Sequence, residues 1–478
     1  MESNTKAAWK LLGFSICFLL LLAALPIRAT TTTTSTATPI QHVIIIVQEN
    51  HSFDNYFGTY PTANGTLVNP ITSELAKVNG IPNGVCLPYE NSCISPHLSN
   101  STTPTNPIEG QLVYEDDYKN NASGFPVNSG SQSMVYFDYH TIPAYWDYAE
   151  EYGLGDSYFA ALMTQTNANR LTMLTGDTPI PSDNVPPPYV PYNESVMSQL
   201  DSAGISWGYF DYLVHGASPQ TVKPFNYFSN LTAIATSNIQ DLSAFYKALS
   251  SGSGLPAVSF VNSLENKTYD EHPPSDPAVG EQWVVSVINK VMASAYWNTT
   301  AIFLTWDEGG GFYDQVVPPL EYTLNDVSPP VYGLGPRVPL LVISPYSKED
   351  YVSNTLLSHL SLVHFIEYNW NLPPLDGIIG NSTLPLDFFD FSQTPRSPII
   401  LGEGGYAPAT TYPIPLQIGG SGSSATSQTT GAKPGSPANY AEAYLALLIV
   451  AVITAGVGVL WWSRRTPASV EPVTSVEP

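Results

Sequence analysis

Apolar and polar positions along the chain fall into two alternating patterns. His42-Val43-Ile44-Ile45-Ile46-Val47 is a continuous, β-branched run that ends in polar residues. Such a run predicts a strand buried on both faces, as in a parallel sheet. Residues 301–306 and 338–343 have the same character, and weaker strands are predicted at 257–261 and 205–209. Helical spacing appears between them, over 195–203, 282–295 and 359–370. Strands alternating with helices predict an α/β fold with a mainly parallel central sheet. Residues 61–135 are rich in Pro, Asn, Gly and Ser and predict a long insertion over one end of that sheet. No internal repeat is visible.

The ends of the chain add a membrane context. Lys6 and Lys10 precede an apolar run from Leu11 to Leu25, the layout of a signal peptide over residues 1–29. The small-residue cleavage signal is poor, which leaves an uncleaved anchor as the other reading. A Thr-rich spacer follows at 30–38 and a catalytic-sized domain at 39–413. A Gly/Ser/Thr/Pro-rich stalk covers 414–442. Residues 443–462 carry no charge and are long enough to cross a bilayer as a helix. Tyr444 and Trp461-Trp462 mark its interfaces, and Arg464-Arg465 place the 463–478 tail in the cytoplasm. The expectation is a single-pass cell-surface protein with its domain outside. A buried core helix is the alternative for 443–462.

Composition sharpens that expectation. Only 12% of residues are charged, the net charge is -24 and the pI is about 4.4. Beyond the membrane ends the domain holds just three arginines, Arg170, Arg337 and Arg396. Such a surface excludes electrostatic binding of nucleic acid. It also suits an acidic habitat, where carboxylates protonate and few bases repel one another. Cys17 lies in the signal, so Cys86 and Cys93 are expected to pair in an oxidising compartment. Asn50-His51-Ser52 is an Asn-x-Ser/Thr triplet, and eight further ones begin at Asn64, Asn100, Asn121, Asn193, Asn230, Asn266, Asn298 and Asn381.

Ligands bind such sheets beyond the C-terminal strand ends. Val47 is followed by Gln48-Glu49-Asn50, and Trp306 by Asp307-Glu308-Gly309-Gly310-Gly311. Three carboxylates and an amide oxygen suit a hard divalent cation, with Ca²⁺, Mg²⁺ or Mn²⁺ favoured over Zn²⁺. Taken singly, each pair reads as a polar loop start. Thr166 stands where a short helix begins, followed by Asn169 and Arg170 and closed by Gly176. Backbone N–H groups at such a start favour phosphate, and a cation can activate a Thr hydroxyl. An ordinary N-cap is the plainer role for Thr166. Arg170 has the fork to pair with phosphate oxygens. His272, before a Pro-stiffened turn, can protonate a leaving oxygen or bind phosphate, although a lone His is more often structural. His359 opens a helix and His97 lies in the insertion. His51, His140, His215 and His364 read as structural or solvent-facing.

These segments together resemble a known family. Gln48-Glu49-Asn50-His51-Ser52-Phe53-Asp54-Asn55-Tyr56-Phe57-Gly58 is similar to the opening motif of the phosphoesterase family, which holds bacterial phospholipases C, plant non-specific phospholipases C and related acid phosphatases. Thr166-Asn167-Ala168-Asn169-Arg170 resembles its Ser/Thr-x-Pro-Asn-Arg nucleophile motif, and His272-Pro273-Pro274 its His-Pro-Pro segment. Asp307-Glu308-Gly309-Gly310-Gly311-Phe312-Tyr313-Asp314 resembles Asp-Glu-His-Gly-Gly-Phe-Tyr-Asp. Gly335-Pro336-Arg337-Val338-Pro339, Ile343-Ser344-Pro345 and Ser358-His359-Leu360-Ser361 follow in order.

The resemblance implies an alkaline-phosphatase-like sheet between helical layers and an acid phosphatase or phospholipase C acting on phosphate esters, phospholipids among them. It implies Thr166 as a nucleophile that forms phosphothreonine. Glu49, Asn50, Asp307 and Glu308 would hold the metal with Thr166. His272 would assist at the leaving group, and Asn169, Arg170, His97 and His359 would contact substrate. His51 stands for the usual Arg, Ala168 for Pro, Gly309 for His and Ser358 for Asp. These departures leave the ligands and nucleophile in place but bear on substrate choice. They also support an alternative, a surface-layer or adhesion protein that reuses the fold. A sulfatase is the weaker reading, since Thr166 is neither Cys nor Ser. The sequence does not state the oligomeric form.

Overall fold

The computed structural model describes residues 35–60 and 78–402, apart from 178–179, 181, 185, 188–189, 214–217, 219–220, 320–322, 325–330 and 376. The signal, most of the spacer, the stalk, the 443–462 span, the tail and His215 lie outside the described residues. Among the described residues no helix is long and apolar enough to cross a membrane.

An eight-stranded sheet organises the domain. Its strands are β1 (His42–Gln48), β2 (Gly153–Gly155), β3 (Trp207–Asp211), β4 (Ile239–Asp241), β5 (Val258–Asn262), β6 (Thr300–Trp306), β7 (Leu340–Ile343) and β8 (Tyr351–Ser353). In space the order is β4-β3-β5-β1-β6-β7-β2-β8. The first five of these run parallel, β7 runs antiparallel to both neighbours, and β8 is parallel to β2. The expected run at 338–343 is therefore real but reversed, and it starts at Leu340. The sheet is mostly rather than wholly parallel. Every position of β6, and every position of β1 after His42, is buried. That burial on both faces is why these strands are unbroken apolar runs.

The helices that matter here are α1 (Phe53–Phe57), α2 (Gln111–Asp117), α3 (Pro143–Glu151), α4 (Thr166–Thr175), α5 (Val196–Ala203), α6 (Leu242–Ser251), α7 (Pro277–Met292) and α8 (His359–Asn369). Their contacts form two packs, α3 with α7 and α6, and α4 with α8 and α5. Local signals set their ends. Ser195 caps α5 by accepting from the Ser198 N–H. Gly204 closes it in the left-handed region, at φ 68°. The apolar spacing places α7 at 282–295, but the helix begins five residues earlier. Asp276 accepts from the Ala278 N–H and Pro277 sits in the first turn, a start signal outside the apolar stripe. At the start of α8 the Ser358 N–H donates to Ser361 Oγ at 3.0 Å.

The insertion is short helices and a small hairpin in its described part. Leu87–Tyr89 pairs with Ser92–Ile94, and Cys86 and Cys93 are joined by a disulfide across that turn. Its later part lies against the loops after β1 and β6, with the Tyr313 N–H donating to the Ser133 carbonyl at 2.9 Å.

Candidate active site

β1 and β6 are adjacent and in register from His42–Thr300 to Gln48–Trp306, so their following residues leave the sheet side by side. The Asp307 N–H donates to the Gln48 carbonyl at 3.1 Å, which extends the ladder past the strand ends. Glu49, Asn50, Asp307 and Glu308 are all at most 1% exposed. Asn50 is in the left-handed region, at φ 61°, and its N–H donates to Asp307 Oδ1 at 3.4 Å. Its burial also puts the Asn50-His51-Ser52 triplet out of reach of glycosylation.

Glycine makes this close approach feasible. Gly310 has φ 62°, and a Cβ there would stand 2.1 Å from the Asn50 carbonyl oxygen. The two loops can touch only because the residue has no side chain. Gly309 is likewise hemmed in, 2.8 Å from Pro336 Cβ if a Cβ were added.

Each carboxylate has distinct partners. Asp307 Oδ2 accepts from Arg170 Nε at 2.8 Å. Glu49 Oε1 is 3.6 Å from Arg170 Nη2, and Glu49 Oε2 is 3.6 Å from Lys267 Nζ. Lys267 also pairs with Asp270 at 2.7 Å. Glu308 Oε2 accepts from the Tyr114 hydroxyl and from the Gly310 N–H. Glu109 from the insertion accepts from Asn50 Nδ2 at 2.8 Å, and its charge acts on Glu308. Burial, then the Asp307 charge, pushes Glu49 up to about 8. Burial, then the Glu109 and Asp307 charges, holds Glu308 well above the usual carboxylate range. Like charges drawn out of water resist ionising unless a cation joins them.

Three buried oxygens here have no hydrogen-bond partner: Glu49 Oε1, Asn50 Oδ1 and Glu308 Oε1. Buried polar atoms are rarely left so. Among the described residues no three acidic, His or Cys side chains are already gathered as a shell for one ion. Arg170 draws Asp307 aside, and Tyr114 and Gly310 turn Glu308. The donor set of carboxylate and amide oxygens nonetheless fits a hard divalent cation, and the orphaned atoms are those it would satisfy.

Thr166 is the first residue of α4 and is half-buried, and Gln165 is the N-cap. It therefore does not play the ordinary N-cap part. Two other motif residues differ from expectation. Asn169 turns its whole amide onto the preceding loop: Oδ1 accepts from the Leu162 N–H at 2.8 Å, and Nδ2 donates to the Leu162, Thr164 and Gln165 carbonyls. It shapes the turn into α4 and has no group left for substrate. Arg170 is 3% exposed and its guanidinium is spent on Asp307, Asn262 Oδ1 and the Val47 and Gln48 carbonyls. It clamps α4 to the ends of β1, β5 and β6.

The histidines divide. His359 is buried, with Nε2 2.9 Å from the Asp307 carbonyl and Nδ1 2.7 Å from the Tyr158 hydroxyl. A carbonyl only accepts, so Nε2 carries the proton and Nδ1 accepts from Tyr158. Burial pushes His359 down to about 4, which keeps it neutral. It acts on Asp307 from behind. His272 is half-buried, and its Nδ1 donates to the Pro273 carbonyl at 2.8 Å, leaving Nε2 available. His97 is exposed, its ring held by the Ser95 carbonyl at 3.0 Å, and no described contact joins it to the carboxylates. His51 is stacked between Tyr56 and Phe312 at 4.3 and 5.0 Å.

Sequence reasoning missed Glu109, Tyr114 and Lys267. The first two sit in the insertion, where nothing periodic marks them. Lys267 had one available signal, its scarcity in a chain so poor in bases.

The phosphoesterase family profile matches residues 40–373. A non-hemolytic phospholipase C of Burkholderia pseudomallei is 28% identical, over 78% of this chain and 62% of that protein. The chain thus spans less than two thirds of that relative's length. Phospholipase C A of Mycobacterium tuberculosis is 27% identical, over 75% of this chain and 79% of that protein. Non-specific phospholipase C4 of Arabidopsis thaliana is 26% identical, over 66% and 64%. The profile runs from β1 through α4 and β6 to α8, the elements that carry the carboxylate cluster, and the chain belongs to the phosphoesterase family.

Proposed function

We propose that this chain is a metal-dependent phosphoric ester hydrolase that works through a phosphothreonine at Thr166, on an alkaline-phosphatase-like α/β/α scaffold. The observation that carries the reading is the convergence of Glu49, Asn50, Asp307 and Glu308 at two adjacent strand ends, with three buried oxygens lacking partners. Those residues, with Thr166, would hold the cation. When bound, the cation supplies Lewis acidity that lowers the pKa of a coordinated hydroxyl and offsets phosphate charge.

The chain's own groups do the rest. Thr166 Oγ loses its proton to water and attacks phosphorus, and the bond to the leaving alcohol breaks. The imidazolium form of His272 delivers its Nε2 proton to that alcohol oxygen and regains from solvent the proton that Thr166 released. Water then attacks the phosphothreonine: its hydroxyl stays on phosphorus and its proton returns to Thr166 Oγ. Arg170 and His359 hold Asp307 in place throughout. The named relatives favour a phospholipid diester, which would release diacylglycerol. An acid phosphatase acting on monoesters uses the same steps. The same reading sets the domain outside the cell, tethered through 443–462.

The test is the full-length chain beside Thr166→Ala, assayed from pH 3 to 8 on a phosphomonoester and on phosphatidylcholine, with and without chelator. Turnover lost in the variant and with chelator is expected, and the preferred substrate separates the two activities. A folded, metal-loaded wild type that turns over neither substrate would sink the reading.

A further inference from the structure

The first turn of α4 already holds an anion, and it belongs to the chain itself. Asp183 Oδ2 accepts from the Asn167 N–H at 3.1 Å and from Asn167 Nδ2 at 2.7 Å, and Oδ1 accepts from the Ala168 N–H at 3.1 Å. These are two of the backbone donors that a helix start leaves unpaired. They are also the donors that would receive phosphate beside Thr166. α4 has no acidic residue of its own in that turn, so the carboxylate arrives from outside the helix. Burial raises the Asp183 carboxyl above its ordinary value, the Asn167 and Ala168 bonds oppose that shift by favouring the anion, and the nearby Asp307 charge adds to it.

A carboxylate so placed adds a further negative charge to a cluster that already repels itself. A dedicated cap could come from Ser, Thr or Asn at position 165 without that cost, yet Gln165 makes no cap bond. We propose that Asp183 is an internal anion that competes with the phosphate group for the Asn167 and Ala168 N–H groups. Phosphate binds by displacing it, and its return helps expel the phosphate product. The proposal rests on the functional reading above, since it concerns the same site.

The experiment uses the full-length chain loaded with Ca²⁺, Mg²⁺ or Mn²⁺, with inorganic phosphate as the probe. Binding is measured by calorimetry for the parent, Asp183→Ala and Asp183→Asn, and as product inhibition of ester hydrolysis. If the capped form dominates, its removal should tighten phosphate binding about tenfold. Both variants should move the same way, so a folding defect in one leaves the other to decide. Phosphate affinity unchanged or weakened in both variants of a parent that hydrolyses esters would overturn the competition alone. A parent that neither hydrolyses esters nor binds phosphate would overturn the functional reading and this inference with it.

Discussion

Arg170 Nε donates to Asp307 Oδ2 at 2.8 Å, and so the helix that begins with Thr166 is tied to the strand end that carries Glu308. The same guanidinium reaches Asn262 at the end of β5 and the Val47 and Gln48 carbonyls of β1. One side chain therefore sets the spacing between the proposed nucleophile and the proposed ligands. Its scarcity in the sequence pointed to importance, and its partners in the fold hold three strand ends together.

Arg170→Lys tests that role. A lysine keeps the charge but cannot serve three strand ends at once, because its donors sit on one nitrogen. Breaking a buried pair costs on the order of 3–5 kcal/mol, and a misplacement of about 1 Å costs roughly 100-fold in rate. The expected result is a clear fall in urea midpoint, with kcat/KM falling about 100-fold. A lysine variant of parental activity would show that Arg170 does not set the geometry.

Gly309 and Gly310 give a second prediction. Gly310→Ala forces a Cβ to 2.1 Å from the Asn50 carbonyl at a positive φ, so Asn50 must move. Activity should fall further than stability does. Gly309→His restores the residue usual in the family motif, yet its Cβ would stand 2.8 Å from Pro336 Cβ. It should therefore lower turnover instead of raising it. Kinetics and thermal melts of both variants decide the matter, and a gain of activity in Gly309→His would show that Pro336 yields.

How much of this was legible in the sequence depended on the length and locality of each signal. β1 and β6 were plain, because a strand buried on both faces is an unbroken apolar run. β2, β4 and β8 are only three residues long, too short for a period to appear. The reversed direction of β7 has no local signature at all, since it depends on which strands flank it. The ligand candidates followed from what comes after the two clearest strands. Glu109 and Tyr114 were invisible because they reach the cluster from an aperiodic insertion. Asn169 and Arg170 were found as motif residues, but their backbone and carboxylate partners were not legible: a motif says that a side chain matters, and only the fold says what it touches.

Arg337 makes a separate prediction about the frame. It is buried, donates to Asp54, Asp156 and Asp314 at 2.9–3.1 Å, and lies 4.2 Å from the Phe53 ring centre. Three carboxylates from separate segments thus share one cation. Arg337→Met removes the charge and leaves three buried acids facing one another, which should cost about 3–5 kcal/mol. Chemical denaturation should register this as a large drop in midpoint. A loss below about 1 kcal/mol would mean that the three acids are protonated and need no cation.

The last prediction concerns pH and uses Asp211, outside the proposed ligand set. Its Oδ1 accepts from the Tyr212 N–H at 2.7 Å and the Glu265 N–H at 3.3 Å, while Oδ2 is buried without a partner. Burial pushes the carboxyl up to about 7, and the backbone bonds and the Arg170 charge only partly oppose it. Between about pH 4 and 7 the folded chain keeps a proton that the unfolded chain has released. The folded state then binds more protons, so this group's contribution to stability falls as pH rises across that window. Asp211→Asn is neutral throughout and keeps the Oδ1 acceptor. It should match the parent near pH 4 and exceed it near pH 7 in thermal midpoint. Buried His51, pushed down to about 4, pulls the opposite way, losing stability as pH falls below about 6.5, so the difference between variant and parent is the quantity to measure. Parallel curves for the two proteins from pH 4 to 7 would mean that Asp211 is ionised in the fold, and the acid-suited character read from the composition would lose this support.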